Sequence, residues 1–190
     1  MYRRQHLKGI DRSRLRALYD QAAAVTGDYE LLRVVGRTPA GLRAPVAELA
    51  AAINDAPTDD LDIEDDVLSP ERLVAYEDAM LARGDRLYRL IARHRDSGAL
   101  AGHTVVAVES LRPGVARQHD TAVARAHRGH RLGLLLKAGM LLWLAEAEPR
   151  IETVDTHNAE SNNHMISVNE ALGYQVMGRA VEFQGPLVAR

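Results

Sequence analysis

The sequence has no cysteine. Disulfides, thiolate nucleophiles, Cys-ligated zinc and iron–sulfur clusters are therefore excluded. Aromatics are scarce, 4% of 190 residues, with one Trp and one Phe. A stacking platform for single-stranded nucleic acid needs more. Net charge is nearly absent too: the formal value is −2, so no global basic footprint marks a nucleic-acid binder. Long apolar runs are missing. The most apolar stretch, residues 132–145, is interrupted by Lys137 and is too short to span a bilayer. No apolar run follows the basic start Met1-Tyr2-Arg3-Arg4, so it does not read as a signal peptide. The expectation is a cytoplasmic protein without nucleic-acid or membrane partners.

The charge that is present is unevenly placed. Residues 1–16 carry Arg3, Arg4, Lys8, Arg12, Arg14 and Arg16 against Asp11 alone. Residues 55–71 hold eight acids and no base, and residues 112–137 turn basic again, with only Asp120 opposing. Apolar periodicity and Gly/Pro punctuation place helices at 11–25, 45–54, 70–83, 132–146 and 161–172. Strands are expected at 29–35, 86–95, 100–109, 118–123 and 151–156, with one or two more over 174–183. Ser69 is the cap of the third helix and Pro70 suits its first position. That order is a mixed α/β domain.

The sharpest local feature runs from Val123 through Ala124, Arg125, Ala126, His127, Arg128, Gly129, His130, Arg131 and Leu132 to Gly133, Leu134 and the apolar helix. A strand entering a basic, Gly-containing loop and then a helix N-terminus makes an anion site. Unpaired N–H groups, the helix dipole and arginines all favour a phosphate or pyrophosphate. The plain alternative is a solvated surface turn. Neither G-x-x-x-x-G-K-[ST] nor G-x-G-x-x-G is present, so nucleoside triphosphate and dinucleotide sites lose weight. His127 with His130, and His157 with His164, lack the carboxylate or Cys partners of a zinc site, so no metal is expected.

Arg128-Gly129-His130-Arg131-Leu132-Gly133, after a strand ending in Val123, resembles the acetyl-CoA loop of the GNAT N-acetyltransferase superfamily. Asn158, Asn162 and the run Asn169-Glu170-Ala171-Leu172-Gly173-Tyr174 are similar to the second half of that family's domain. The likeness is to the C-terminal half of tandem-GNAT, mycothiol synthase-like proteins. It implies a GNAT-like mixed central sheet flanked by helices over residues 28–190. Residues 1–27 would be an N-terminal helical extension.

The resemblance implies acetyl-CoA as co-substrate and direct acetyl transfer to a small-molecule or protein amine. Val123, Ala124, Arg125, Arg128, Gly129, His130, Arg131, Gly133, Leu134, Asn158 and Asn162 would hold the cofactor. The family usually has Gly where Arg131 stands; Arg131 is expected to take an ordinary φ. A lysine-like amine with a pKa near 10.4 must lose its proton to attack, at roughly 4.6 kcal/mol at neutral pH. Asp120 is the first candidate for the base and Glu109 the second. Strand alternation turns His119 away from whichever face Asp120 takes. Backbone N–H groups near Val123 and Ala124 are the expected donors to the thioester carbonyl. Asn169 stands where many family members have a Tyr, so the acid that protonates the thiolate is unassigned. The acidic segment 55–71 is placed to steer a cationic amine. Terminal strands in this fold often pair between subunits, so a homodimer is among the expected partners. The competing reading is a non-catalytic acyl-CoA-binding or partner domain.

Overall fold

The structure, a computed structural model, describes residues 1–59, 61–181 and 183–185. Asp60 of the acidic segment and Glu182 of the expected terminal strands lie outside the described residues. The elements follow in the order β1 (Tyr2–His6), α1 (Arg12–Ala23), β2 (Tyr29–Val35), α2 (Arg43–Ala50) and α3 (Pro70–Ala82). Then come β3 (Arg86–His94), β4 (Leu100–Val108), β5 (Val115–Val123), α4 (Leu132–Ala147), β6 (Thr153–His157), α5 (Asn163–Ala171) and β7 (Gln175–Gly178). Helix starts obey their side-chain chemistry. Asp11 accepts from the N–H groups of Ser13 and Arg14, and Ser69 accepts from that of Arg72 with Pro70 leading α3.

The strands form one sheet in the order β2-β3-β4-β5-β6-β1-β7. Every neighbouring pair is antiparallel except β5 and β6. Alternation along β3 shows how the two faces are filled: Leu90 joins the core under α1, α4 and α5, whereas Ile91 joins the core under α2. Helix α4 is buried nearly all round, which explains its continuous apolar composition. It crosses α1 at close range: a Cβ on Gly139 would stand 3.2 Å from a Tyr19 ring carbon and 3.1 Å from Leu90.

The expected mixed sheet flanked by helices is present, and the first residues are part of it. Residues 2–6 form a strand between β6 and β7, rather than leading into a helix outside the sheet. Its inward residues are Arg3 and Gln5, both buried, held by Glu170 and by the Leu172 carbonyl. A strand that buries polar side chains has no apolar alternation for a sequence reading to find. Among the described residues of the expected terminal strands, Gln175–Gly178 pairs with the sheet.

Candidate functional site

The lone parallel pair is where the sheet opens. Strands β5 and β6 are in register over three residue pairs, the last being Arg117 with Asp155. From Gln118 onward β5 leaves β6, whose next residue, Thr156, pairs with Arg3 of β1. A wedge therefore starts at Gln118. At the same point β5 carries a bulge: Thr104 faces Thr121 and Val106 faces Gln118, so one residue of β4 stands against two of β5.

The bulge overturns the alternation expected for His119 and Asp120. Gln118 and Thr121 share the α4 face, where the Gln118 amide donates to the hydroxyls of Thr104 at 2.6 Å and Thr121 at 2.7 Å. His119 and Asp120 share the opposite face, where the α3 residue Tyr76 lies 3.3 Å from His119 Nδ1. Helix α3 is fixed there through buried Glu77, which accepts from Thr38 Oγ1 at 2.6 Å and from Arg89 at 3.2 Å. Asp120 is open to solvent yet set in a crowded concavity. Lost hydration raises its pKa above the usual carboxylate value, and the charge of Asp66 adds to the rise; His119 and Arg89 oppose it. Burial lowers the pKa of His119, which favours its neutral form, while Asp120 opposes that shift. The structure thus brings Asp120 and His119 together and adds Tyr76 to them.

Glu109 is elsewhere. Its N–H bonds the carbonyl of Val115, at the far end of β5. At about 3.3 Å per residue that is roughly 15 Å from the bulge. Arg112 at 2.7 Å, together with Arg117, holds its carboxylate and keeps the pKa low.

Beyond Val123 the chain makes a short 3-10 turn over Arg125–His127 and reaches α4. Arg125, Arg128, His130 and Arg131 are all exposed on this loop. No side chain caps α4, so its first-turn N–H groups face outward. A Cβ at either Gly129 or Gly133 would meet no atom within 4 Å. Arg131 departs from the expected ordinary φ: at φ 58° and ψ 17° it keeps the left-handed conformation that a glycine would adopt there. The expected carbonyl donor at Ala124 is also corrected, because its N–H is taken by Ala101 O at 2.9 Å. Arg128 donates to Val123 O at 3.1 Å and to Asp55 at 2.6 Å.

Across the wedge, Asn158 at the end of β6 accepts from the side-chain amide of Asn169 at 2.6 Å. Asn169 is fully buried, and its Oδ1 has no partner among the described residues. Asn162 caps α5, accepting from Met165 N at 3.1 Å. The acidic segment bridges both sides of the opening. Asp55 meets Arg128, and Asp59 accepts from the N–H groups of Glu160 and Ser161 at 3.1 Å each. A groove of about 1650 Å³ runs between residues 57–63 and 157–161, with Asp59, Asp62 and Glu160 on its walls.

Among the described residues no group of three or more His, Asp or Glu is arranged to hold a metal ion. Nor is any described helix long and apolar enough to cross a membrane.

No family model and no curated protein matches the sequence. Solved structures do. A tandem GNAT protein from the clavulanic acid biosynthesis pathway is similar at 35% identity over 92% of this chain and 49% of its own, with a TM-score of 0.73. YncA of Salmonella typhimurium, a putative acetyltransferase solved with acetyl-CoA, is similar at 16% identity over 77% of this chain and 81% of its own, with a TM-score of 0.59. AAC(6')-Iy, solved with the bisubstrate analogue CoA-S-monomethyl-acetylneamine, is similar at 15% identity over 82% of this chain and 99% of its own, with a TM-score of 0.53. The split sheet, the bulged strand and the uncapped helix behind a basic loop belong to a GNAT fold, and the chain belongs to the GNAT superfamily. It spans about half the length of the tandem protein, as one GNAT unit would.

Proposed function

We propose that this domain binds acetyl-CoA and transfers its acetyl group directly to an amine. One coincidence carries the reading: the sheet opens at Gln118 on the strand that feeds the uncapped N-terminus of α4. The first-turn N–H groups, with Arg125, Arg128, His130 and Arg131, supply the donors a pyrophosphate needs. Gly129 and Gly133 leave room for its close approach, between Val123 and Leu134. The spare Oδ1 of Asn169 is a buried acceptor in search of a donor, which an amide N–H of the ligand's pantetheine arm provides.

The acceptor amine enters from the face of Tyr76, His119 and Asp120. There the raised pKa makes Asp120 a stronger base than an ordinary carboxylate, and it takes the amine proton. The β5 bulge, where a ladder leaves backbone groups unpaired, supplies the donors to the thioester carbonyl in place of Ala124. Asp59 and Asp62 on the groove wall favour a cationic acceptor, while Glu160 there pairs with Arg179 and Asp66 with Arg72. The exposed edge at β7 is the surface through which a homodimer would pair.

Calorimetry with acetyl-CoA tests the binding step, and release of CoA thiol with a panel of amines tests transfer. A chain without cysteine adds no thiol background. Micromolar binding that Gly133→Glu weakens, with thiol release for at least one amine, is expected; no heat at hundreds of micromolar overturns it. Binding without turnover for any amine favours the non-catalytic domain, the reading that Asn169 keeps in view.

A further inference from the structure

Of the chain's 24 basic side chains only two are lysines, Lys8 and Lys137; the rest are arginines. Lys8 is exposed at the surface. Lys137 is 2% exposed, among the leucines of α4. A leucine or methionine would fill the same place without the cost of burying an ammonium. What surrounds the ammonium is polar but uncharged. From β5, Gln118 Oε1 accepts from Nζ at 2.5 Å. Thr104 of β4 and Thr121 of β5 hold the other end of the Gln118 amide. From the turn after α5, the Tyr174 ring lies 4.9 Å beneath Nζ and its hydroxyl donates to the same Gln118 oxygen at 3.1 Å. No carboxylate from α4, β4, β5 or the α5–β7 turn pairs with Lys137. Burial alone pulls its pKa down, to about 7.

Gln118 is the first residue beyond the last β5–β6 pair, so Nζ bonds the side chain of the residue at the apex of the wedge. Asn169 is joined to this cluster through Tyr174, whose N–H donates to the Asn169 carbonyl at 2.9 Å. Asn169 has no proton to give. Lys137 has one, and an arginine there could not release it.

We propose that Lys137 is the general acid of the acyl transfer, donating its ammonium proton to the sulfur that leaves the thioester. The inference rests on the reading that a CoA thioester occupies the wedge. The amine nitrogen forms a bond to the carbonyl carbon, and the carbon–sulfur bond breaks with its electron pair on sulfur. Sulfur takes a proton from Lys137, and Asp120 takes the surplus proton of the amine. After product release Asp120 loses that proton to water and Lys137 regains one from it. A free thiol titrates near 8.5, so transfer from so acidic an ammonium to a thiolate runs downhill.

The test uses the intact protein labelled with ¹³C and ¹⁵N in lysine, which gives two side-chain signals. The probes are CoA and desulfo-CoA, in which hydrogen replaces the thiol. In the free protein the Lys137 signal should titrate well below the ordinary lysine range. Bound CoA should add a second step to the Lys137 titration, where the adjacent thiol loses its own proton. Desulfo-CoA should not. With an amine that turns over, Lys137→Met should lower kcat for acetyl-CoA by about 10²-fold or more, and far less for acetyl-selenoCoA, whose leaving selenol is much more acidic, at similar affinity for desulfo-CoA. A role in packing alone would lower kcat equally for both donors. If both probes bind and neither the Lys137 titration nor the leaving-group dependence responds, the proposal is wrong while the acyl-CoA reading stands. If neither probe binds, the acyl-CoA reading falls and takes the proposal with it.

Discussion

Arg128 of the basic loop donates to Asp55 of the acidic segment at 2.6 Å, so the two oppositely charged stretches meet in the fold. The near-zero net charge is in part this pairing. A pyrophosphate seated on the loop competes with Asp55 for the same guanidinium. Both side chains are about half exposed, and an exposed pair contributes roughly 0.2–1 kcal/mol. Asp55→Asn should therefore tighten acetyl-CoA binding by no more than about fivefold. Isothermal titration checks this; weaker binding would show that Asp55 orients Arg128 rather than occupying it.

Arg131 holds φ 58° at the N-terminus of α4. An L-residue with a side chain loses roughly 1 kcal/mol in that region, and glycine does not. Arg131→Gly should raise the melting temperature by about 2–4 °C, as a gain of that size does in a domain of this length. Arg131→Ala, which keeps the Cβ, should not. Scanning calorimetry on the two variants separates backbone relief from any effect of losing the guanidinium.

Much of this site can be read from the sequence, and the misses have local causes. The loop 123–133 is visible because Gly, Arg and a following apolar run are short-range signals. The contact between Asn158 and Asn169 joins a strand end to the next helix, a tertiary pairing that sequence does not show, so sequence names both residues without joining them. The bulge at His119 and Asp120 leaves no mark in composition and reverses the inference drawn from alternation. Strand β1 hides because Arg3 and Gln5 face inward. Lys137 carries a signal of its own: one lysine inside the apolar stretch 132–145 of an arginine-rich chain. It reads first as a break in an apolar run, and only burial shows its cost.

Asp120→Asn keeps the shape of the bulge and removes the base. With an amine that turns over, kcat/KM should drop by about 10²–10⁴, the usual contribution of general-base catalysis. Lost hydration raises the pKa of Asp120, so the acidic limb of the native pH–rate profile should lie above the ordinary carboxylate range. That limb should vanish in the variant. A native limb at or below the usual carboxylate value would assign the base elsewhere, with His119 next in reach.

Lys137 also predicts how stability varies with pH. In the unfolded chain a lysine titrates near 10.4; in the fold burial brings Lys137 down to about 7. Between those two values the unfolded state binds more protons, so stability rises with pH. Below about 7 both states are charged and the full burial cost is felt. Above the unfolded value both are neutral and the cost is gone. The slope within the window approaches about 1.4 kcal/mol per pH unit for one group. Other groups titrate as well, so the measurement is the difference between native protein and Lys137→Met. Urea unfolding across neutral to mildly alkaline pH should show the variant more stable at the low end, with its advantage shrinking as pH rises. A pH-independent difference would mean that Lys137 reaches water in the folded state.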